Sequence, residues 1–300
     1  MANQKPKKTT KKSTTKPETK KEATVAAPAV QTASANEPSL KGFFARKCDK
    51  NENVLTIFKS PRIWGALLGE LVGTMFFMML MLTLGVQPLY FVLAMVGVYV
   101  AIVGLSGANL NPLVTVGMMA SRRMSAIRGV LYILAQVLGA WIGLIIVNAF
   151  RLGSETSFEL PMMAEISGET FWSVALVELL GAVIIAFMFA RALKYARKSP
   201  VTFAITVTSG ITLAIILGIV IAQNFFAVQD SFIFNPAAAL MYQILPTTAD
   251  GIGELLGMAG LALAAYIVVP MIGGVLGFWL SDLSGKLAGC GYNCNDYDEE

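Results

Sequence analysis

Between Arg62 and Arg122 the chain carries a single charge, Glu70, and the runs Gly129 to Phe150, Phe171 to Ala190, Ser199 to Gln229 and Leu255 to Ser281 carry one more, Glu178. A helix needs about 20 apolar residues to cross the hydrocarbon of a bilayer. The runs accommodate six such crossings, over roughly 63–84, 88–105, 128–150, 171–190, 200–223 and 257–281. Two apolar pieces remain, 106–121 and 231–243, each too short to cross and each containing an Asn-Pro pair.

Composition places the chain in the same solvent. Of 300 residues 55% are hydrophobic and 14% charged, and the mean hydropathy is +0.64, far from a soluble domain and close to a polytopic membrane protein. There is no His, which excludes imidazole metal sites, Ser-His relays and His proton wires. Cys48, Cys290 and Cys294 lie in polar flanks with neither CxxC nor zinc spacing and read as free cytosolic thiols. Nothing pairs a nucleophile with a base or calls for a cofactor or metal, and the glycine-rich "GIGELLG" at Gly251 follows no strand. The chain reads as no enzyme.

Residues 1–50 hold 12 of the 23 Lys and Arg against four acids. Residues 5–39 contain almost nothing large and apolar, so they cannot offset the entropy of folding, and the segment 1–58 reads as a disordered basic tail. It has no apolar stretch of the kind a secretory signal needs. Such a tail offers contacts to anionic lipid or another acidic partner such as nucleic acid, and the plainer role is to fix topology. With the tail inside and six crossings, the cytoplasmic loops carry Arg122, Arg123, Arg128, Arg191, Lys194, Arg197 and Lys198 and no acid. The opposite side carries Glu155, Glu159, Glu165, Glu169, Asp230, Asp250 and Glu254, with Arg151 its only base. The positive-inside rule then gives cytoplasmic N- and C-termini, 286–300 being a short acidic tail.

The channel region, 59–285, repeats itself, about 63–150 against 171–281. "GELVGTMFF" at Gly69 answers "VELLGAVII" at Val177; "SGANLNPLVT" at Ser106 answers "DSFIFNPAAA" at Asp230; "YILAQVLGAWIG" at Tyr132 answers "YIVVPMIGGVLG" at Tyr266. Each half has three crossings, so the second is inverted relative to the first. Asn followed by Pro starts a helix, because Asn caps the orphan N–H groups and Pro at the first helical position loses no hydrogen bond. Asn111-Pro112 and Asn235-Pro236 therefore start two re-entrant half-helices that enter from opposite sides and meet near the bilayer centre. Their dipoles and side-chain amides would form a filter for neutral polar solutes. The fold expected is an all-α membrane protein with six transmembrane helices, two half-helices and an inverted 3+3 repeat.

These motifs resemble the major intrinsic proteins, the family of aquaporins and glycerol facilitators, over about 60–285. "SGANLNPLVT" is similar to the family's first box, with Leu113 in place of the usual Ala, and "FNPAAA" is similar to the second, Ala237 keeping its Asn-Pro-Ala intact. The resemblance implies that Glu70 and Glu178 brace the re-entrant loops through backbone N–H groups. It also makes Tyr132, Gln136, Tyr266 and Pro270 helix signatures, with Gly139, Gly273 and Gly277 serving close helix crossing. It implies a homotetramer with one pore per subunit.

The resemblance also implies an outer constriction, formed by Phe91, Phe232, either Ala222 or Gln223, and the position after the second box. Family members usually carry an Arg at that last position, and here it is Ala238. The opening is expected to be wide, apolar and weakly charged. The reading is a passive plasma-membrane channel for small uncharged solutes, glycerol or other polyols and water. Two other readings stand beside it: an ion-coupled secondary transporter, for which Glu70 and Glu178 are the only intramembrane acids, and a non-conducting membrane scaffold acting through its basic tail.

Overall fold

The computed structural model describes residues 58–59, 61–84, 87–152, 166–226, 232–242 and 252–288. The chain divides into two units, Met1–Ala45 and Arg46–Glu300, and the described residues belong to the second. The basic tail through residue 57, the three Cys, residues 289–300 of the acidic C-terminal tail and Glu155, Glu159, Glu165, Asp230 and Asp250 lie outside the described residues.

Among the described residues every regular element is helical. In chain order they are α1 (Pro61–Leu84), α2 (Pro88–Ser106), α3 (Pro112–Ala120), α4 (Ala126–Leu152), α5 (Phe171–Ala192), α6 (Pro200–Ile221), α7 (Pro236–Ala239), α8 (Ile252–Leu263) and α9 (Val269–Leu287). Among the described residues six spans are long and apolar enough to cross a membrane, the sixth built from α8 and α9. Five of the helices begin with Pro, whose fixed φ suits the first turn and whose missing N–H costs nothing there. α2 stops at Gly107, whose φ of +86° lets its N–H return to the Val103 carbonyl at 3.0 Å.

The last crossing is longer than the uncharged run that announced it. Helix continues to Leu287 through Asp282, because Asp282 accepts from Arg123 at 2.6 Å and so enters the bundle paired. Within this crossing, Ala264–Val268 form a π-helical turn. Pro270 has no N–H to offer the Tyr266 carbonyl, and the turn before it widens accordingly. "GIGELLG" becomes the start of α8 from Ile252 onward. α6 likewise passes into a π-helical turn, Ala222–Phe226, where one continuous helix to 223 was expected.

The two halves pack alike. α1 makes its most extensive contact with α4, α5 with α9, and α2 with α6 joins the halves. Both principal crossings depend on glycines set against backbone. A methyl at Gly139 would meet the Leu71 carbonyl, and one at Gly143 the Met75 carbonyl at 2.7 Å. In the second half Gly273 faces the Leu179 carbonyl at 3.0 Å and Gly277 the Val183 carbonyl at 2.5 Å. Small residues let membrane helices approach this closely, and close approach replaces the hydrophobic drive that lipid cannot supply. Outward, Leu68, Leu93, Leu134 and Ile216 stay exposed, as expected where the surrounding solvent is hydrocarbon.

Candidate functional site

The site is built where the two short segments meet. In each, the Asn caps its helix: Asn111 Oδ1 accepts from the Leu113 N–H at 3.0 Å, and Asn235 Oδ1 from the Ala237 and Ala238 N–H groups at 3.1 and 3.4 Å. The amide nitrogens cross over. Asn111 Nδ2 donates to the Phe234 carbonyl at 2.7 Å, and Asn235 Nδ2 donates to the Leu110 carbonyl at 3.1 Å. Both Asn side chains are buried. Each acceptor carbonyl belongs to the residue just before the other Asn.

Those two residues are strained. Leu110 and Phe234 both have φ of +54°, in the left-handed region that costs an L-residue about 1–2 kcal/mol. The turn is held by a carboxylate and seated by a glycine in each half. Glu70 Oε1 accepts from Ser106 Oγ at 2.6 Å and the Asn109 N–H at 2.9 Å, while Oε2 accepts from the Leu110 N–H at 2.8 Å and Gln136 Nε2 at 2.7 Å. Glu178 Oε1 accepts from the Ile233 N–H at 2.6 Å, and the Phe234 N–H is shared between Oε1 and Oε2 at 3.3 and 3.1 Å. Three residues after each Glu stands a glycine whose missing side chain makes room: Gly73 receives the Leu110 side chain and Gly181 the Phe234 ring. The repeated "Glu-x-x-Gly" was visible in the sequence, but its second member has no assigned partner until the loops are in place.

The halves differ in how far side chains reinforce the loop. In the first, Gln136 Nε2 also donates to Thr115 Oγ1 at 2.9 Å, Asn109 Nδ2 donates to the same oxygen at 3.2 Å, and the Tyr132 hydroxyl donates to the Ser106 carbonyl at 3.0 Å. In the second, Pro270 and Ala239 stand at the positions of Gln136 and Thr115 and can supply none of this. The second short helix is also shorter than its partner. α7 is a single turn, because the N–H groups of Met241 and Tyr242 return to carbonyls only three residues back. The two helix dipoles are therefore unequal, α3 having nine residues and α7 four.

The residues assigned to the outer constriction lie as follows. Phe91 is buried with its ring edge-on to Phe77, centroids 5.5 Å apart. Phe232 stacks on Phe234 at 4.9 Å and lies against Gly218 of α6. Ala222, one turn beyond Gly218 on the same face, is buried, whereas Gln223 is exposed. Ala238 has no exposed surface. A contact absent from the sequence reading closes the other end. Arg123, after α3, pairs with Asp282 at 2.6 Å and lies over the Phe278 ring at 5.2 Å, tying the first loop to α9. The partners are 159 positions apart, and only an acid amid a wholly basic set of loop charges hinted at it.

Six spans around two half-crossing segments that join at their capped starts define a polytopic channel protein. The family model described as "Major intrinsic protein" matches residues 57–281, and the chain belongs to that family, whose members are channels and not enzymes. It is 47% identical over 55 residues to a probable aquaporin PIP2-4 of Arabidopsis thaliana, covering 18% of this chain and 19% of that one. It is 48% identical over 48 residues to a probable aquaporin PIP2-1 of Oryza sativa subsp. japonica, covering 16% and 17%. The chain thus matches under a fifth of the length of these curated relatives. Among solved structures it is similar to the aquaglyceroporin from Plasmodium falciparum, with 20% identity, a TM-score of 0.48, and coverage of 79% of this chain and 96% of that one.

Proposed function

We propose that this channel conducts small uncharged solutes passively, glycerol or other polyols together with water, past the paired Asn111 and Asn235. The observation that carries the reading is the crossed pair of amide bonds. Each Asn spends its oxygen on its own helix and one amide hydrogen on the opposite loop, leaving a second donor per Asn for a passing hydroxyl. The same geometry argues against ion-coupled transport, which needs an acid free to change its protonation in the cycle. Both Glu70 and Glu178 are fully buried and committed to loop backbone N–H groups.

The outer constriction in this reading is formed by Phe91, Phe232, Ala222 and Ala238. The burial of Ala222 on the Gly218 face supports it over Gln223. With Ala at 238 the constriction has no fixed cation, which favours less hydrated solutes over strict water selectivity. The assembly is a homotetramer with one pore per subunit, in the plasma membrane with both termini cytoplasmic; the basic loops at Arg122–Arg128 and Arg191–Lys198 support that orientation.

Stopped-flow light scattering on proteoliposomes, comparing water, glycerol and ribitol, tests the reading. Fast glycerol and ribitol flux, linear in the solute gradient, is the expected result. Water flux alone, or uphill accumulation driven by a proton or Na⁺ gradient, would overturn it.

A further inference from the structure

At the end of the bundle that carries the basic loops, an apolar groove of about 480 Å³ opens between α5, α6 and α9. Ile184, Phe187, Met188, Leu213, Leu280 and Leu283 line it, and its walls are almost wholly apolar. Its size falls within the range of about 300–1,000 Å³ that holds a ligand-sized molecule. It faces outward from helices that span the membrane, so hydrocarbon and not water is what reaches it.

The groove has a charged rim on one side only. Arg191 follows Phe187 by one helical turn and Lys194 by two, which continues the groove-lining face of α5 beyond the apolar stretch. Arg197 and Lys198 follow in the same loop and are exposed. The one acid among the described residues at this end, Asp282, is engaged by Arg123. The feature is therefore an apolar slot that continues along α5 to the cations Arg191 and Lys194, the latter with its ammonium over the Tyr195 ring at 4.8 Å.

We propose that this groove is a binding site for an anionic phospholipid, with one acyl chain along the slot and the phosphate at Arg191 and Lys194. A zwitterionic lipid would fill the slot equally well but gain nothing from the net positive rim. Basic residues at the membrane surface each favour an anionic headgroup by about fivefold in affinity. The site depends on the chain crossing a membrane and is independent of which solute the pore passes.

The full-length protein in detergent would be titrated with dioleoyl phosphatidylglycerol or dioleoyl phosphatidylcholine, with bound lipid read by native mass spectrometry. Phosphatidylglycerol should bind the more tightly, by at least about fivefold. Arg191→Gln and Lys194→Gln should each remove about fivefold of that affinity while leaving phosphatidylcholine unchanged. Leu213→Trp, or Ser284→Phe if the first variant melts early, should lower binding of both lipids by filling the slot. Equal binding of the two lipids by the wild type, or no response to the charge variants, would overturn the proposal. So would groove-filling variants that keep lipid but change the mass of the assembly, which would make the groove an interface between copies.

Discussion

Asn111 donates its side-chain amide to the carbonyl of Phe234, 2.7 Å away on the opposite half of the chain, and Asn235 returns the bond to Leu110 at 3.1 Å. This exchange joins the two loops. Asn111→Asp keeps the cap and the shape but removes the donor, and it sets a carboxylate against the buried Phe234 carbonyl. The variant should lose about 1–3 kcal/mol of stability, read as a lower melting temperature in detergent, and should pass glycerol more slowly. Unchanged melting and flux would show that the crossed bond is dispensable.

The two bracing carboxylates should respond differently to the same conservative change. Glu70 uses both oxygens on separate donors, so in Glu70→Gln the new NH₂ group opposes the Leu110 N–H or the Ser106 and Asn109 donors. Glu178 Oε1 alone lies within reach of both Ile233 and Phe234, so a carboxamide oxygen there can serve both. Glu70→Gln should therefore cost about 1–3 kcal/mol, and Glu178→Gln clearly less. Melting temperatures of the two variants, compared side by side, decide it, and a larger loss at 178 would contradict the geometry.

Gly139 and Gly104 make a matched pair for the role of close packing. A methyl at 139 meets the backbone of Leu71, which cannot step aside, whereas one at 104 meets nothing within 4 Å. Gly139→Ala should destabilise the bundle by about 1–3 kcal/mol through overpacking. Gly104→Ala, inside α2, should be neutral or stabilising by up to about 1 kcal/mol from helix propensity. Thermal unfolding with loss of the size-exclusion peak as the readout separates these outcomes.

At the outer constriction, Ala238→Arg should restore a fixed cation and narrow the path. Ribitol flux should fall most, glycerol flux less and water flux least, measured by stopped-flow swelling. An unchanged solute profile would show that position 238 lies off the solute path.

Much of this architecture was legible without coordinates. The uncharged runs placed α1, α2, α4 and α5 to within two residues at each end, because charge is excluded from hydrocarbon whatever the packing. The rule failed at the last crossing, where Asp282 lies inside α9, because pairing with Arg123 lets a charge enter the bundle. The sequence also contained the caps, since Asn before Pro has the same local chemistry in any fold. It marked Glu70 and Glu178 as exceptional, because an unpaired acid in a membrane is too costly to be incidental.

The features legible in the residues are therefore local or solvent-driven: span positions, helix starts, the inverted repeat and the pair of Asn-Pro loops. Packing alone set the amide bonds of Asn111 to the Phe234 carbonyl and of Asn235 to the Leu110 carbonyl, the seating of Leu110 on Gly73 and Phe234 on Gly181, and the Arg123–Asp282 bond. It also decided the asymmetry by which Gln136 and Thr115 reinforce one loop while Pro270 and Ala239 leave the other to Glu178. Each of these is a contact between groups tens to more than a hundred positions apart. Their partners are set by how helices cross, and no local pattern of charge, period or propensity encodes that distance.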